Sequence, residues 1–313
     1  MIAIGDRREL FVDDALLDMS RTDAAEVLHH PVRRELMMTN DAPWEANGWT
    51  YYTVFEDEGR FRMYYLSQPM YNLERTRHDC PFHTIGYAES TDGIHWVKPS
   101  LGLFEFDGSR DNNMVMVTDT MDAFHVFRDE NPLCPEEERY KAVYTKPHHQ
   151  LWCMVSADGL HFREGWLLCD QGRFDSHNTA FYDAAAGCYR CYFRDFHDGI
   201  RDIRMMTSAD FRTWTAPEPI TYEGCLEDFQ MYTNGVKPYF RAPQLYIGLP
   251  TRYVERKAWT PNYDGLCGAE HRKWRMTLNP RFGLATTDCL LMTSRDGRRF
   301  RRHGEAFLTP GPE

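Results

Sequence analysis

Several acidic side chains in this chain of 313 residues stand just before apolar runs that have the composition of β-strands. The candidates for acid and base chemistry are Asp41, Glu45, Asp122 and Asp175. If those runs lie side by side, the carboxyl groups converge on one cavity, where burial and mutual repulsion separate their pKa values. The hydrolysis of a glycosidic bond needs such a pair, one carboxyl group protonated and the other ionised. The pattern predicts this chemistry, although any single acid could instead cap a turn or lie on a charged rim.

A second group of polar and aromatic residues accompanies these acids and is predicted to bind the substrate. Aromatic faces stack on sugar rings, and polar side chains of several types can bond to sugar hydroxyl groups. The group comprises Trp44, His177, Asn178, Arg194, Asp195, Tyr232, Asn234 and Arg252. Together with the acids, these residues predict a pocket for an oligosaccharide or a glycoside.

A short phrase that occurs four times marks the elements that must position these residues. Each copy reads Ser-x-Asp, with Trp or Phe four residues after the Asp, at residues 90–96, 156–162, 208–214 and 294–300. Asp bonds to nearby backbone amides and Gly accepts a positive φ, so each copy predicts a turn at the end of a strand. The closing aromatic residue is predicted to begin the next strand. Repetition of this kind is typical of repeat architectures.

Pairs of strand-like runs precede each copy of the phrase. In the first pair, residues 49–55 and 60–65 are rich in aromatic and β-branched side chains and are joined by Glu-Asp-Glu-Gly, which indicates a hairpin. Similar pairs begin near residues 124, 179 and 235. Each unit then has four strands, which is one blade of a β-propeller. The sequence predicts an all-β propeller that forms a single domain over residues 1–313.

One face of such a propeller is predicted to carry the function. The segments predicted as loops on the face where the inner strands begin are long and polar, at residues 68–83, 146–150, 194–202 and 250–288. Binding residues concentrate on long loops held by a rigid scaffold. The segment 250–288 contains seven basic residues. It could close over the pocket, reach into a neighbouring subunit, or recognise an acidic sugar.

Composition argues against several other functions. The net charge is −11, from 36 basic and 47 acidic residues, so no nucleic-acid partner is expected. We find no apolar run of about 18 residues and no secretory signal, which predicts a cytoplasmic protein without a membrane partner. The nine cysteines are an odd number without regular spacing, which favours a reducing compartment. Histidines near residues 78–83 and 148–149 lack the spacing of metal ligands, so no metal site or cofactor is predicted.

The chain resembles the five-bladed β-propeller glycosidases, the superfamily that contains the family 43 arabinanases and xylosidases and the family 32 invertases. The Ser-x-Asp turns, the hairpin spacing and residues 121–131 carry this resemblance. More closely, it is similar to a bacterial branch described as family-32-like glycosyl hydrolases, at residues 9–14, 41–45, 174–178, 232–234 and 252–256. The resemblance implies five blades, of which four are visible. The fifth is either incomplete, because the chain is truncated, or completed by a strand near residues 10–12.

The resemblance also implies a catalytic triad. Asp41 or Glu45 could serve as the first acid, which is the base or nucleophile, and Asp122 matches the second, which orients and tunes. Asp175 stands where the superfamily has the Glu that acts as acid. That substitution supports an alternative, a carbohydrate-binding or scaffold propeller that has lost its catalytic acid. A calcium ion or a water cluster on the axis is compatible with the resemblance alone. An incomplete fifth blade would expose a strand edge and favour a homo-oligomer.

Overall fold

The computed structural model describes residues 4–76, 82–118, 121, 123–146 and 149–310. Strands dominate these residues because short aromatic and β-branched runs alternate with turn residues. The first three sheets are antiparallel, and their strands pair in chain order. They consist of β1 (Gly48–Asp57), β2 (Arg60–Gln68), β3 (His83–Ser90) and β4 (Met114–Thr118); β5 (Phe124–Arg128), β6 (Tyr140–Lys146), β7 (Gln150–Ser156) and β8 (Arg163–Cys169); and β9 (Thr179–Asp183), β10 (Cys188–His197), β11 (Ile200–Ser208) and β12 (Glu218–Pro219).

The fourth sheet has five strands and contains an insertion. The elements of this part are β13 (Thr221–Gly224), β14 (Lys237–Tyr239), β15 (Ala242–Gly248), β16 (Thr251–Val254), helix α1 (Ala269–Leu278), β17 (Thr286–Cys289), β18 (Met292–Ser294) and β19 (Arg299–Arg302). The sheet order is β13-β19-β18-β15-β14, and β13 runs parallel to β19. Strands β16 and β17 form a separate hairpin. Short 3₁₀ turns occupy Asp14–Leu16, Pro43–Glu45, Glu136–Glu138 and Pro261–Gly265.

The hydrophobic core lies between adjacent sheets. One buried cluster joins each sheet to the next; examples of residues that share a cluster are Leu66 with Val126, Val143 with Phe193, and Ile203 with Met292. The first strands of successive sheets, β1, β5, β9 and β14, contact one another in that order. Sheets that pack face to face around their inner strands are the blades of a β-propeller. The predicted all-β propeller is confirmed with four blades, and the fifth blade stays a prediction.

The four Ser-x-Asp phrases form the predicted turns. In the first copy, Ser90 Oγ accepts hydrogen bonds from the amides of Asp92 and Gly93 at 3.2 and 2.9 Å. The Asp92 carboxylate accepts bonds from the amides of Ile94 and His95, both at 2.8 Å. In the other three copies the aspartate likewise accepts hydrogen bonds from the amides two and three residues after it. The phrase is therefore a backbone-capping turn, and the side chains of its serine and aspartate form the hydrogen bonds of that turn.

The closing aromatic residue begins the next strand in only part of the blades. In the second blade β8 starts directly after Phe162, and in the fourth Phe300 lies inside β19. In the first blade β4 starts at Met114, and only an isolated bridge between Glu89 and Val97 follows the phrase. The prediction was wrong there because residues 98–113 form an irregular excursion before the outer strand.

A second repeat, which the sequence reading missed, links each blade to the next. A buried aspartate at or directly after the end of an inner strand contacts a cation on the second strand of its own blade. The same aspartate accepts a hydrogen bond from a tyrosine on the second strand of the following blade. The triplets are Asp57, Arg62 and Tyr140; Asp129, Lys141 and Tyr189; and Asp183, Arg190 and Tyr246. Each acid is thus held by two blades at once.

The Gly of the turn phrase makes room for this linkage. Gly159 has a φ of +79°, and a Cβ there would lie 2.8 Å from both Arg62 Nη1 and Tyr64 Oη of the preceding blade. Tyr64 donates its hydroxyl to the Gly159 carbonyl at 2.9 Å. Gly93, in the first blade, has a φ of +76°, but its nearest contact would be Phe61 at 3.6 Å. The two glycines therefore share a backbone conformation and differ in the packing around them.

We expect Gly159→Ala to be more destabilising than Gly93→Ala. The left-handed conformation costs about 1–2 kcal/mol in either variant. Displacing the side chains of Arg62 and Tyr64 from the new methyl group adds about 1–3 kcal/mol at Gly159 alone. The free energy of unfolding from urea titrations measures the difference. Equal losses in the two variants would show that the blade interface yields without cost.

The amino-terminal segment runs from the fourth blade to the first. Arg295, in the fourth Ser-x-Asp turn, forms ion pairs with Glu9 and Asp13 at 2.9 and 2.7 Å. The Val12 carbonyl accepts a hydrogen bond from Thr293 at 3.3 Å. Further along, Met38 packs against a buried cluster of the first blade. Residues 10–12 pair with no strand in the described part of the chain, so they contact the fourth blade through side chains and turns instead.

Candidate active site on the face of the inner-strand origins

Two segments predicted as long loops on this face are ordered secondary structure. Strands β10 and β11 continue to a two-residue turn at Asp198 and Gly199, whose φ angles are +47° and +80°. Two positive φ angles are typical of a type I′ hairpin turn, for which Asp-Gly is a strong signal. The segment 250–288 contains the β16–β17 hairpin and α1. These elements form a wall of regular secondary structure above the third and fourth blades.

The structure brings Asp175, Arg194 and Tyr232 together. The Asp175 side chain is 46% exposed, whereas Arg194, which forms an ion pair with it, is only 4% exposed. The Arg194 guanidinium lies 5.4 Å from the centre of the Tyr232 ring. Ser176 donates its hydroxyl to the Tyr232 carbonyl at 2.6 Å and so fixes the two segments to each other. Asp175 is therefore a solvent-facing carboxylate held by a buried cation.

Asp195, the neighbour of Arg194, lines a cavity of about 500 Å³. The cavity lies where β8 of the second blade and β10 of the third end. Its charged lining includes Asp170, Arg173 and Arg204, and His149 borders it. Two carboxylates and two guanidinium groups thus face one space that is large enough for a sugar ring.

Asp41, Glu45 and Trp44 form a different cluster beside the first blade. Glu45 is fully buried and accepts hydrogen bonds from Tyr65 at 2.5 Å and from Lys98 at 2.8 Å. The Trp44 indole donates to Asn113 at 2.7 Å. Asp41 is exposed and lies 3.5 Å from the Lys98 ammonium group. Only Asp41 in this cluster has a carboxylate open to solvent.

His177 lies against the inner strands. Its ring stacks on Tyr51 at 5.6 Å and meets the ring of His125 edge-on at 5.3 Å. His125 Nδ1 is 3.2 Å from the Thr53 hydroxyl. Burial, and then the positive charge of Lys237, lowers the pKa of His177 to about 4. Burial lowers the pKa of His125 well below its ordinary range, and His177 and Lys237 add to that effect.

This histidine pair predicts acid lability. The pKa of His177 is lower in the folded chain than its ordinary value of 6.5, so the unfolded chain binds more protons as the pH falls below 6.5. The contribution is fully present above pH 6.5 and is lost as the pH falls toward 4. We expect His177 alone to cost about 2 kcal/mol of unfolding free energy between pH 7 and pH 5. Urea titrations at both pH values check this.

The matched variants are His177→Gln and His30→Gln, the second at an exposed histidine on the amino-terminal segment. His177→Gln is expected to flatten the dependence of stability on pH, and His30→Gln to leave it as in the wild type. An unchanged slope in His177→Gln would contradict the prediction.

Three further candidates hold the scaffold together. Asn178 donates to the Phe174 carbonyl at 2.8 Å, and Asn234 accepts from Thr179 at 2.7 Å while donating to the His177 carbonyl at 2.9 Å. Both asparagines are 1% exposed. Arg252 pairs with Asp288 across the β16–β17 hairpin through two bonds of 2.9 and 2.5 Å. These contacts hold together the segments that carry the site, and the Arg252 guanidinium pairs with Asp288 rather than with Asp175.

Some predicted residues lie outside the described part of the chain. They are Asp122, the histidine, aspartate and cysteine at 78–80, and His148. Among the described residues, no group of three or more His, Cys, Asp and Glu side chains is arranged to hold a metal ion. The described side chains near the axis include His125, His177 and Lys237. They supply nitrogen atoms and positive charge, which do not fit calcium, a cation that prefers oxygen ligands.

Sequence reasoning missed Arg201, Tyr253 and Arg281. Arg201 pairs with Phe196 across the β10–β11 hairpin, close to Arg194. Its guanidinium lies 5.2 Å from the Tyr232 ring and 4.9 Å from the Tyr253 ring. The Asp-Gly turn was the available signal, because pairing the hairpin from that turn places Arg201 beside the predicted site. Arg281 comes from the insertion, and no local pattern indicates it.

Comparison by sequence finds no matching family model and no matching curated protein. Comparison by structure finds an N-acetylgalactosamine deacetylase from F. plautii with a TM-score of 0.55 and 14% identity, covering 88% of this chain and 74% of the other. A glycosyl hydrolase from Bacteroides ovatus gives 0.44 and 14%, over 86% and 73% of the two chains. A structure from the GH130 family of mannoside phosphorylases, which contains glycoside hydrolases that target β-1,2-mannosidic linkages in Candida mannan, gives 0.47 and 14%, over 86% and 74%.

The first of these matches shows a shared fold. At 14% identity it carries no information about which residues act or on what. In the described residues, no helix is long and apolar enough to cross a membrane. The function must therefore be argued from the site itself.

Proposed function

We propose that this protein is a glycoside hydrolase whose active site lies on the face where the inner strands begin. The observation that carries the proposal is the solvent-facing Asp175 carboxylate fixed by the buried Arg194. A charge-assisted hydrogen bond from an arginine fixes the orientation of the carboxylate that accepts it. It is suited to act as the base or nucleophile of glycosidic cleavage. Tyr232 offers an aromatic face beside it.

A second carboxyl group must donate the proton to the leaving oxygen. The resemblance implies that Asp122 orients and tunes the pair and that the donor stands at the third-blade position of Asp175. With Asp175 as the base or nucleophile, the role of donor falls to the first-blade acid. Asp195 lines a cavity whose lining includes neither Asp175 nor Arg194, so it is not the partner of Asp175. Of the two acids proposed for the first blade, Asp41 is the one that can reach a substrate, since Glu45 is fully buried. We therefore assign Glu45 to the stability of the first blade and keep Asp41, Asp122 and Asp175 as the proposed catalytic acids.

The test is a hydrolysis screen of the purified protein. The panel contains aryl glycosides, arabinan and fructan oligosaccharides, β-1,2-mannosides, a blood group B trisaccharide and an N-acetylgalactosaminide, the last three chosen from the structural neighbours. New reducing ends are measured together with released acetate. New reducing ends with normal saturation kinetics are the expected result. Acetate without new reducing ends, or saturable binding without any product, would overturn the proposal in favour of a deacetylase or a binding module.

A further inference from the structure

We infer that this site takes a sugar that carries an acidic group, and that Arg194, Arg201 and Arg281 hold that group around Tyr232 and Tyr253. The inference rests on the proposed function for the carbohydrate nature of the ligand. What it adds is that the ligand carries a negative charge.

The five side chains alternate along one wall of the site. Tyr232 lies between Arg194 and Arg201, with ring centre to guanidinium distances of 5.4 and 5.2 Å. Tyr253 lies between Arg201 and Arg281, at 4.9 and 5.8 Å. The two tyrosine rings are 5.7 Å apart. Arg201 is therefore at the centre, with one aromatic ring and one further arginine on each side.

The positive charge of this wall exceeds the negative charge that the structure supplies. Arg201 is 7% exposed, and in the described residues it has no carboxylate partner; its guanidinium donates to the Gln230 side chain at 2.9 Å. Asp175 pairs with Arg194, and Glu255, next to Tyr253, lies 3.6 Å from Lys257. A buried cation without a counter-charge is costly. An anionic ligand would remove that cost.

Two of the three arginines also carry donors without a partner inside this wall. The Nε atoms of Arg194 and Arg201 are buried and have no hydrogen-bond partner among the described residues. Burial and the neighbouring Arg194 and Arg281 lower the pKa of Arg201, which is the effect expected of crowded positive charges. The planar guanidinium fork matches the oxygens of a carboxylate or a sulfate. The tyrosine faces beside it suit the ring that bears the acidic group.

The experiment measures binding by isothermal titration calorimetry, independently of turnover. The probes are glucuronate, galacturonate, oligogalacturonate and galactose 6-sulfate. Glucose, galactose and the methyl esters of the two uronates serve as neutral counterparts of the same shape. We expect at least one acidic probe to bind about tenfold or more tightly than its neutral counterpart, with an affinity that falls as salt is added.

Two variants locate the effect. Arg281→Gln removes a partly exposed charge that makes no ion pair among the described residues, so we expect the variant to fold, which thermal melting checks. Arg201→Lys keeps the charge and removes the fork. Both are expected to weaken the acidic probe about tenfold or more and to leave the neutral probe unchanged. Arg241→Gln, at an exposed arginine of the fourth blade, is the control that should change nothing.

The outcomes separate this inference from the proposed function. Arginine-dependent binding of an acidic probe without turnover on any glycan would support the anionic site and overturn the hydrolase. Turnover of neutral glycans that Arg281→Gln and Arg201→Lys leave unchanged, with no preference for acidic probes, would overturn the anionic site and keep the hydrolase. Absence of any arginine-dependent binding across the panel would also overturn the inference.

Discussion

Asp175→Asn is expected to lower kcat/KM for glycoside hydrolysis by about 10²–10⁴-fold, the usual contribution of a positioned acid–base group. The substitution keeps an oxygen that can accept the bond from Arg194, so the geometry of the site is preserved. It removes the negative charge that would accept a proton or attack the sugar. The measurement is steady-state kinetics on the best substrate of the hydrolysis screen, with thermal melting of both proteins as the check on folding.

Two comparisons make this result specific. Asp198→Asn changes an exposed aspartate at the tip of the neighbouring hairpin and should leave kcat/KM unchanged. Asp41→Asn tests the first-blade acid in the same assay. If Asp175→Asn retained full activity while Asp41→Asn lost it, the chemistry would belong beside the first blade and the assignment of Asp175 would be wrong.

Asp129→Ala is expected to lower the free energy of unfolding by about 3–5 kcal/mol, because it takes the nearest carboxylate away from the buried Lys141 ammonium group. The side chains of Asp129 and Lys141 are 0% and 2% exposed and lie 2.6 Å apart. Tyr189 of the next blade also donates to Asp129, at 2.8 Å. One truncation therefore disturbs the second and third blades together. Urea unfolding followed by tryptophan fluorescence measures the loss.

A matched pair of variants tests the cause. Asp92→Ala removes an aspartate of the first turn phrase, whose side chain is 45% exposed, and should cost only about 1 kcal/mol for its capping bonds. The double variant Asp129→Leu with Lys141→Met replaces the ion pair by apolar side chains and should recover part of the stability. A double variant less stable than Asp129→Ala would show that packing, rather than the unpaired charge, determines the loss.

The parts of the fold that could be predicted from the sequence are those determined by interactions between residues close together in the chain. The serine and aspartate of the Ser-x-Asp phrase make their capping bonds inside one turn, so the repetition of the phrase predicted the propeller and the number of visible blades. The aspartate–cation–tyrosine linkage was not predictable in the same way, since Tyr140 follows Asp57 by 83 residues. Its tyrosine belongs to the next blade, and neither residue is unusual in its own neighbourhood.

In the candidate site, too, the sequence predicted some residues and could not predict others. Asp175 and Arg194 were identified from their places before and after strands, and the structure brings them together. Glu45 looked equally suitable by sequence, but a lysine 53 residues later and Tyr65 enclose it. Arg281 belongs to the insertion in the fourth sheet, and its position depends on the pairing of β16 with β17. Long-range packing decides which polar residues are buried, and local sequence carries little of that information.

The aspartate–cation–tyrosine linkage always joins a blade to the one that follows it in the chain, which affects the order in which blades can join during synthesis. Each of the first three blades provides the aspartate and the blade translated after it provides the tyrosine, as with Asp183 and Tyr246. Tyr140, Tyr189 and Tyr246 each pair across the sheet with the serine of the Ser-x-Asp phrase in their own blade. In the first blade the residue that pairs with this serine is Phe61, which has no hydroxyl group to donate. A nascent chain with two or three blades outside the ribosome therefore carries one acid whose tyrosine has not yet been made. Because domains fold as the amino-terminal part emerges, blades would join in the order of translation, and the docking of Glu9 and Asp13 on Arg295 would come last.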